Sequence, residues 1–317
     1  MSNINHGFIA VHVGAGRHSE ALKEKYQKLC RQACKAGMQN LKTGGSTLDA
    51  VVEAVIILEN SPLTNAGFGS NLTLEGTVEC DASVMDGTTL QFGAVGAVSG
   101  IKNPVIVAKR LCEQQSIKIA CGRIPPSFLV GNGAHVWAQE MGIQTLPPEQ
   151  LISMKAQKIY KHYKRKIEDS SIEIDNAGVW GCGTWAYKDK YSIGTSTSGC
   201  GEHLIRTSLA RTIAEAISDD SCPTTSVHNA MKVDFIDSKF LYGLDQKLGG
   251  VIAIRYAAQE GLGDFLWSHS TNSMIIGYMN SSEETPVSHM SILPSHEVGK
   301  KAVVEGICFK ISANTDP

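Results

Sequence analysis

Apolar and polar positions follow two different periods along this 317-residue chain. Phe8-Ile9-Ala10-Val11-His12-Val13 is an apolar run that Gly14-Ala15-Gly16 stops, the pattern of a buried strand and a turn. Residues 20–42 switch to helical spacing, with Leu22, Tyr26, Leu29, Ala33 and Leu41 roughly on one face. Gly44-Gly45 breaks that pattern. Ser46 then caps a second helix, Asp49 lies near its positive end, and Ser61-Pro62 stops it just past Glu59. Residues 77–85 and 88–98 read as strands joined by Asp86-Gly87, a strong hairpin signal. Asn103-Pro104 opens a further helix in the favoured order of cap then proline, and residues 133–141 are helical in pattern. In the second half, 179–187 and 191–198 read as strands, 202–218 and 224–234 as helices, and 248–257, 264–269 and 274–279 as strands. Each half thus pairs helices with a sheet, an α+β pattern. Stacked, the halves would place two sheets between two helical layers.

Composition narrows the picture without naming a function. Hydrophobic residues make up 42% and charged residues 19%, an ordinary soluble balance. A net charge of -2 gives no general pull toward nucleic acid or a membrane surface. No apolar run approaches the ~20 residues of a membrane helix. Met1-Ser2-Asn3-Ile4-Asn5-His6 lacks the charged start and long apolar stretch of a secretory signal. The nine cysteines are scattered, with no Cys-x-x-Cys pair, which fits free thiols in a reducing compartment. A cytoplasmic or nuclear location is the corresponding expectation.

Three local features carry candidate chemistry. Gly14-Ala15-Gly16-Arg17-His18-Ser19 follows a strand and precedes a helix, but Ser19 stands where a dinucleotide fingerprint needs glycine. A tight turn that brings backbone close to a neighbouring site is the simpler reading, and no cofactor is expected. Ser198-Gly199-Cys200-Gly201-Glu202 lies at a strand-to-helix junction, where backbone N–H groups can face an anion or an oxyanion. A plain tight turn is the alternative there. Glu202-His203 offers acid–base or metal-binding atoms, yet a lone His on a first helical turn is the pattern of a structural side chain, and no metal site is expected. Residues 155–168 form a basic run, read as a solvated, flexible face or as a nuclear-import or partner-docking segment.

Beyond these readings, three stretches resemble the N-terminal half of the plant-type (type 2) asparaginases. They are Asn65-Ala66-Gly67-Phe68-Gly69-Ser70-Asn71, the segment from Glu79 to Gly87, and Gly93-Ala94-Val95-Gly96-Ala97-Val98. The closer likeness is to the threonine aspartases (taspases). It is carried by 11–16 with His18-Ser19-Glu20, by Gly122-Arg123-Ile124-Pro125-Pro126, and by the run from Ser196 to Leu204. Phe265-Leu266-Trp267-Ser268-His269 and Gly277-Tyr278-Met279 add to it. The resemblance spans residues ~8–310. It implies an N-terminal-nucleophile hydrolase with an αββα four-layer sandwich, made as a precursor that cuts itself before a threonine. The freed threonine then attacks an amide carbonyl with its own α-amine as base. Taspases use this chemistry to cut proteins after aspartate. Under the resemblance, Ser198, Gly199, Cys200 and Gly201 form the oxyanion and substrate-binding turn. Asn65, Gly67, Gly69 and Asn71 belong to the loop that shapes the site.

One departure dominates. Asp175, in the place of the residue before the cut, is followed by Asn176-Ala177-Gly178-Val179-Trp180 and not by threonine. Roughly thirty to forty residues are missing against the family pattern, enough for two or three strands. The nucleophile, its strand and an arginine that holds the substrate's acidic group fall in that gap. The expected organisation is therefore one composite domain with central strands missing: 1–175 as an α-subunit-like region with a flexible basic tail from about 150, and 176–317 as a truncated β-subunit-like region. The expected function is that of a threonine-peptidase family chain, inactive by itself. A non-catalytic regulatory partner of an intact family member is the alternative, and an asparaginase-type amidohydrolase a remoter one. Protein substrates of the intact family, self-association or pairing with a full-length chain are the partners implied.

Overall fold

The computed structural model describes residues 6–167, 180–219 and 221–311. The Asp175–Asn176 junction lies outside them. In chain order the elements are β1 (Phe8–Gly16), α1 (Lys23–Lys42), α2 (Thr47–Glu59), β2 (Cys80–Met85), β3 (Phe92–Val98), α3 (Pro104–Gln114), β4 (Phe128–Val130), α4 (Gly131–Glu140) and α5 (Met154–Ile167). The second half adds β5 (Thr184–Lys188), β6 (Ser192–Gly199), α6 (Gly201–Thr207), α7 (Leu209–Ala216), α8 (Pro223–Ala230), β7 (Gly249–Ala257), β8 (Leu262–His269), β9 (Ser273–Asn280), β10 (Val287–Ile292) and β11 (Val303–Lys310). Helices and strands are mixed throughout, as the α+β pattern implied. The chain divides into two compact units: Met1–Ala54, Asp86–Leu90 and Val179–Pro317 form the first, Val55–Met85 and Gln91–Gly178 the second.

In the first unit, β9 is the middle strand of a three-stranded sheet ordered β1-β9-β10, antiparallel on both sides. Seven of its eight residues are buried, so it needs cover on both faces as well as partners on both edges. Met274 and Ile276 pack with Phe8 and Ala10 of β1 against Ile252, Phe265, Trp267 and Phe309 of a five-stranded antiparallel sheet, β11-β8-β7-β6-β5. The alternate residues turn to α1. A Cβ on Gly277 would lie 2.7 Å from Cys30 Cβ, so the strand and helix meet too closely for any side chain there. The buried positions of α1, among them Tyr26, Leu29, Ala33, Gly37 and Leu41, repeat at three- and four-residue intervals and form the face that covers this sheet. The other face of the five-stranded sheet carries Val251, Ala253 and Leu266, which pack with Leu209, Ile213, Ile217, Val227 and Phe235. Burying one such side chain is worth about 1.5–3 kcal/mol.

The strand pairing departs from the sequence expectation. β1, from the first half, pairs with β9 of the second, so the halves do not each close their own sheet. Two strands of this unit, β10 and β11, were not expected. Both carry polar residues among their apolar ones, and they are fixed by pairing to β9 and β8. The expected helix over 202–218 is broken at Ser208, whose backbone is left-handed (φ 45°, ψ 46°). The Arg211 N–H donates to the Gly181 carbonyl at 3.0 Å, so the orphan donors of a new helix start find a partner outside it. The expected helix over 224–234 is α8 followed by one wide π turn, Met231–Ile236.

The second unit is built on a three-stranded sheet, β2-β3-β4. β2 and β3 are antiparallel, as the hairpin signal required, while the unexpected short β4 is parallel to β3. Val78, Val95, Val98, Val107, Leu111 and Ala134 form its core. A Cβ on Gly93 would meet the Ala108 carbonyl oxygen at 2.0 Å, which shows how closely α3 lies on β3. Residues 155–167 of the basic run are helical, with Ala156 of α5 buried and the Lys155 Nζ donating to the Leu63 carbonyl at 2.9 Å. Among the described residues no helix is long and apolar enough to cross a membrane.

Candidate functional site

Strand β6 alternates strictly. Ile193, Thr195 and Thr197 are buried toward the helices, and Ser196 and Ser198 point to the opposite face, where β1 ends. The Ser198 hydroxyl accepts the Ala15 N–H at 3.1 Å, and Ser196 Oγ lies 2.9 Å from His12 Nε2. Gly14, just before Ala15, has φ 115°, a backbone conformation that a side chain would strain. At the end of β6 the chain turns at Gly199, with φ 141°. A Cβ there would lie 2.7 Å from both Gly249 Cα and the Leu248 carbonyl oxygen, so only glycine fits.

The turn is then clamped to the start of β7. The Cys200 N–H donates to the Leu248 carbonyl at 3.0 Å, and the Leu248 N–H donates to His203 Nδ1, also at 3.0 Å. His203 thus uses Nδ1 as an acceptor for the backbone, the structural role its position suggested. Gly201 opens α6 with Glu202 in its first turn, where the helix's positive end favours a carboxylate. Ser198, Gly199, Cys200 and Gly201 therefore form one continuous strand–turn–helix feature, held from two sides.

Three histidines gather around the end of β1. His18 Nδ1 is 3.0 Å from Ser273 Oγ, and its backbone N–H donates to the same hydroxyl. His269 is fully buried and its Nδ1 lies 3.0 Å from the Thr271 carbonyl, an acceptor that requires the proton on Nδ1. His12 Nδ1 and His269 Nε2 are out of contact with water and have no hydrogen-bond partner among the described residues. Burial is the main cause that lowers both imidazoles to about 4, and the nearby His18 adds to it. Both rings are neutral at physiological pH and poor acceptors of a further charge. His12 and His269 were missed as site residues in the sequence. His12 sits inside an apolar run, where a polar ring among strand residues was the available signal.

The second loop lies in the second unit. The Asn71 N–H donates to Asn65 Oδ1 at 2.8 Å, which closes residues 65–71 on themselves. Gly67 (φ 52°) and Gly69 are required by backbone approach. Their Cβ atoms would meet the Glu59 carbonyl oxygen at 2.6 Å and the Thr64 carbonyl oxygen at 2.2 Å. Beneath the loop Glu59 is 3% exposed. Its carboxyl accepts the Val105 N–H at 3.0 Å and Asn103 Nδ2 at 3.1 Å, at the start of α3. Burial pushes it up to about 8, against the pull of those two donors. An acidic residue ending the apolar helix sequence Ala54-Val55-Ile56-Ile57-Leu58-Glu59 was the sequence signal for it.

Other candidates take simpler roles. β1 runs antiparallel to β9, whereas a dinucleotide site needs a parallel strand–helix–strand unit, so 14–19 is a turn that serves Ser198. Among the described residues no three His, Cys, Asp or Glu side chains gather to hold a metal. The threonines nearest the turn are committed. Thr195 Oγ1 donates to the Ala210 carbonyl at 2.8 Å and Thr197 Oγ1 to the Cys182 carbonyl at 2.5 Å.

Against known proteins, the family described as asparaginase matches residues 5–178. A mouse isoaspartyl peptidase/L-asparaginase is 39% identical over 189 residues, 59% of this chain and 55% of its own. The Xenopus laevis protein of the same name is 29% identical over 298 residues, covering 84% of this chain and 90% of that one. An isoaspartyl peptidase of Salmonella typhimurium is 33% identical over 213 residues, 62% of this chain and 64% of its own. The chain thus spans little more than half the length of the mammalian relatives it matches.

Proposed function

Because this chain belongs to the asparaginase family of N-terminal-nucleophile hydrolases, we propose that it is a family member of the threonine-aspartase type that keeps the oxyanion turn and lacks both the nucleophile and the arginine that holds the substrate's acidic group. One observation carries the reading: Asp175 is followed by Asn176, so a cut at this place frees no hydroxyl-bearing terminus. The family match stops at residue 178, just past that junction, while the frog relative aligns across both halves. That combination fits an internal loss within one family chain. The hydroxyls of Thr195 and Thr197 are spent on backbone carbonyls, which argues against a stand-in. Neither has the free α-amine that serves as base in this chemistry.

In this reading Ser198, Gly199, Cys200 and Gly201 belong to the turn that would receive a substrate carbonyl, and Asn65, Gly67, Gly69 and Asn71 keep the family's loop sequence in the second unit. The intact family chemistry is amide scission, after aspartate in protein substrates for the taspase branch. The architecture is an αββα four-layer sandwich short of central strands. It is supported by α1 on one face of the β1-β9-β10 sheet, the apolar layer between that sheet and the five-stranded one, and α7 and α8 beyond. The partner it implies is an intact family chain, in the cytoplasm or nucleus.

The test is purification followed by a denaturing gel, N-terminal sequencing and assay on L-asparagine, a β-aspartyl dipeptide and an aspartate-containing peptide. One unbroken band and no hydrolysis above buffer are expected. Two fragments, the second beginning with threonine, would overturn the reading, as would turnover of any of the three.

A further inference from the structure

The helix-facing side of the five-stranded sheet ends in a polar ladder that the family chemistry does not use. Arg255, Asp264 and Cys308 are cross-strand neighbours on β7, β8 and β11. Arg255 Nη2 lies 3.3 Å from Asp264 Oδ2, and the Cys308 thiol donates to Asp264 Oδ1 at 3.4 Å. The same guanidinium reaches up through Nη1 to the Ser221 carbonyl at 3.1 Å and the Asp219 carbonyl at 2.9 Å. It thereby ties the chain just before α8 to this corner of the sheet. Cys222, the next residue, is the N-cap of α8, and α8 lies against both β11 and β8. Cys222 and Cys308 are both exposed free thiols.

The two sulfurs sit in opposite surroundings. N–H and hydroxyl groups of Thr225 and Thr224, at the start of the helix, hold the Cys222 thiol below its ordinary value. Cys308 is raised, first by its hydrogen bond to Asp264, then by desolvation and the charges of Asp264 and Cys222. Ser221, the residue before Cys222, and the Cys308 thiol are both bonded to the Arg255–Asp264 pair, which brings the two cysteines to the same corner of the sheet. By contrast Cys30, Cys34 and Cys80 are buried and pushed well above the ordinary thiol range, which leaves them inert.

We propose that Cys222 and Cys308 are a redox pair that hydrogen peroxide closes into an intramolecular disulfide, stapling the start of α8 to the edge strand β11. The Cys222 thiolate attacks one peroxide oxygen. An S–O bond forms, the O–O bond breaks, and hydroxide leaves and is protonated to water. Cys308 passes its proton to Asp264 and attacks the sulfenic sulfur. The S–S bond forms, the S–O bond breaks, and a second hydroxide leaves as water. Two thiols and one peroxide give one disulfide and two waters, with two electrons passing from the sulfurs to the peroxide.

The test treats the full chain with one equivalent of hydrogen peroxide, alkylates the remaining thiols and maps peptides without reduction. A peptide joining Cys222 to Cys308 is expected, with the intact chain lighter by about 2 Da, the mass of two hydrogens. Cys308→Ser should leave a sulfenic acid at Cys222 that dimedone traps, and Cys222→Ser should leave Cys308 alkylatable. Full alkylation of Cys222 after peroxide treatment overturns the proposal, as does a cross-link from either residue to Cys121 or Cys200.

Discussion

Glu59 sets burial directly against charge. Its carboxyl is raised to about 8, above the ordinary carboxylate range that applies in the unfolded chain. The folded state therefore holds this proton between roughly pH 4.5 and 8, and the associated stability is full below that window and lost as pH rises through it. Glu59→Gln removes the ionisation. Thermal denaturation at pH 5 and pH 8 should show the variant gaining on the parent at the higher pH, and an unchanged difference would contradict the assignment. Glu59→Ala leaves the Val105 N–H without its acceptor and Asn103 Nδ2 with only Asn60 Oδ1, at 3.3 Å. It should cost about 1–3 kcal/mol in urea unfolding. Gly199 is the other sharp position. Gly199→Ala places a methyl 2.7 Å from Gly249 Cα at φ 141°, and we expect it to destabilise by at least about 2 kcal/mol. Glycine at 199 was legible in the sequence as a turn. Its clamp to Leu248 was not, because residues 200 and 248 are brought together only by β6–β7 pairing.

At the scale of elements, periodicity located what local spacing governs. Ser46 caps α2 as expected, its hydroxyl accepting the Asp49 N–H at 3.0 Å while Asp49 reaches back to the Ser46 N–H at 3.2 Å. The helix over 202–218 fails at Ser208 because continuity there is decided by Gly181, which is distant in sequence and supplies the carbonyl for Arg211. A β-branched residue tolerates the left-handed region poorly. Ser208→Val should therefore lower stability by about 1–2 kcal/mol, measured by urea denaturation. Strands β10 and β11 escaped notice for a related reason. His289 and Glu305 interrupt their apolar pattern, yet they sit 3.5 Å apart, with Glu305 also accepting the Trp267 indole N–H at 2.6 Å.

At the scale of the molecule, each unit has its own apolar core. Trp137 belongs to the second unit, and Trp180, Trp185 and Trp267 to the first. A variant retaining only Trp137 and another retaining only Trp267 should give different urea midpoints, since a chain with two cores need not unfold in one step. Coincident midpoints would show a single cooperative unit.

The linear chain by itself determined the family, most helices, the hairpin, and the absence of threonine after Asp175, because each is written in local spacing or residue identity. Only the tertiary structure decided that β1 leaves its own half to pair with β9, that Ser208 divides a helix, and that His12 reaches Ser196, Ala15 reaches Ser198 and His18 reaches Ser273. Those outcomes depend on which backbone donors and apolar faces from distant segments satisfy one another. That choice rests on the whole set of competing partners, and no stretch of neighbouring residues contains it.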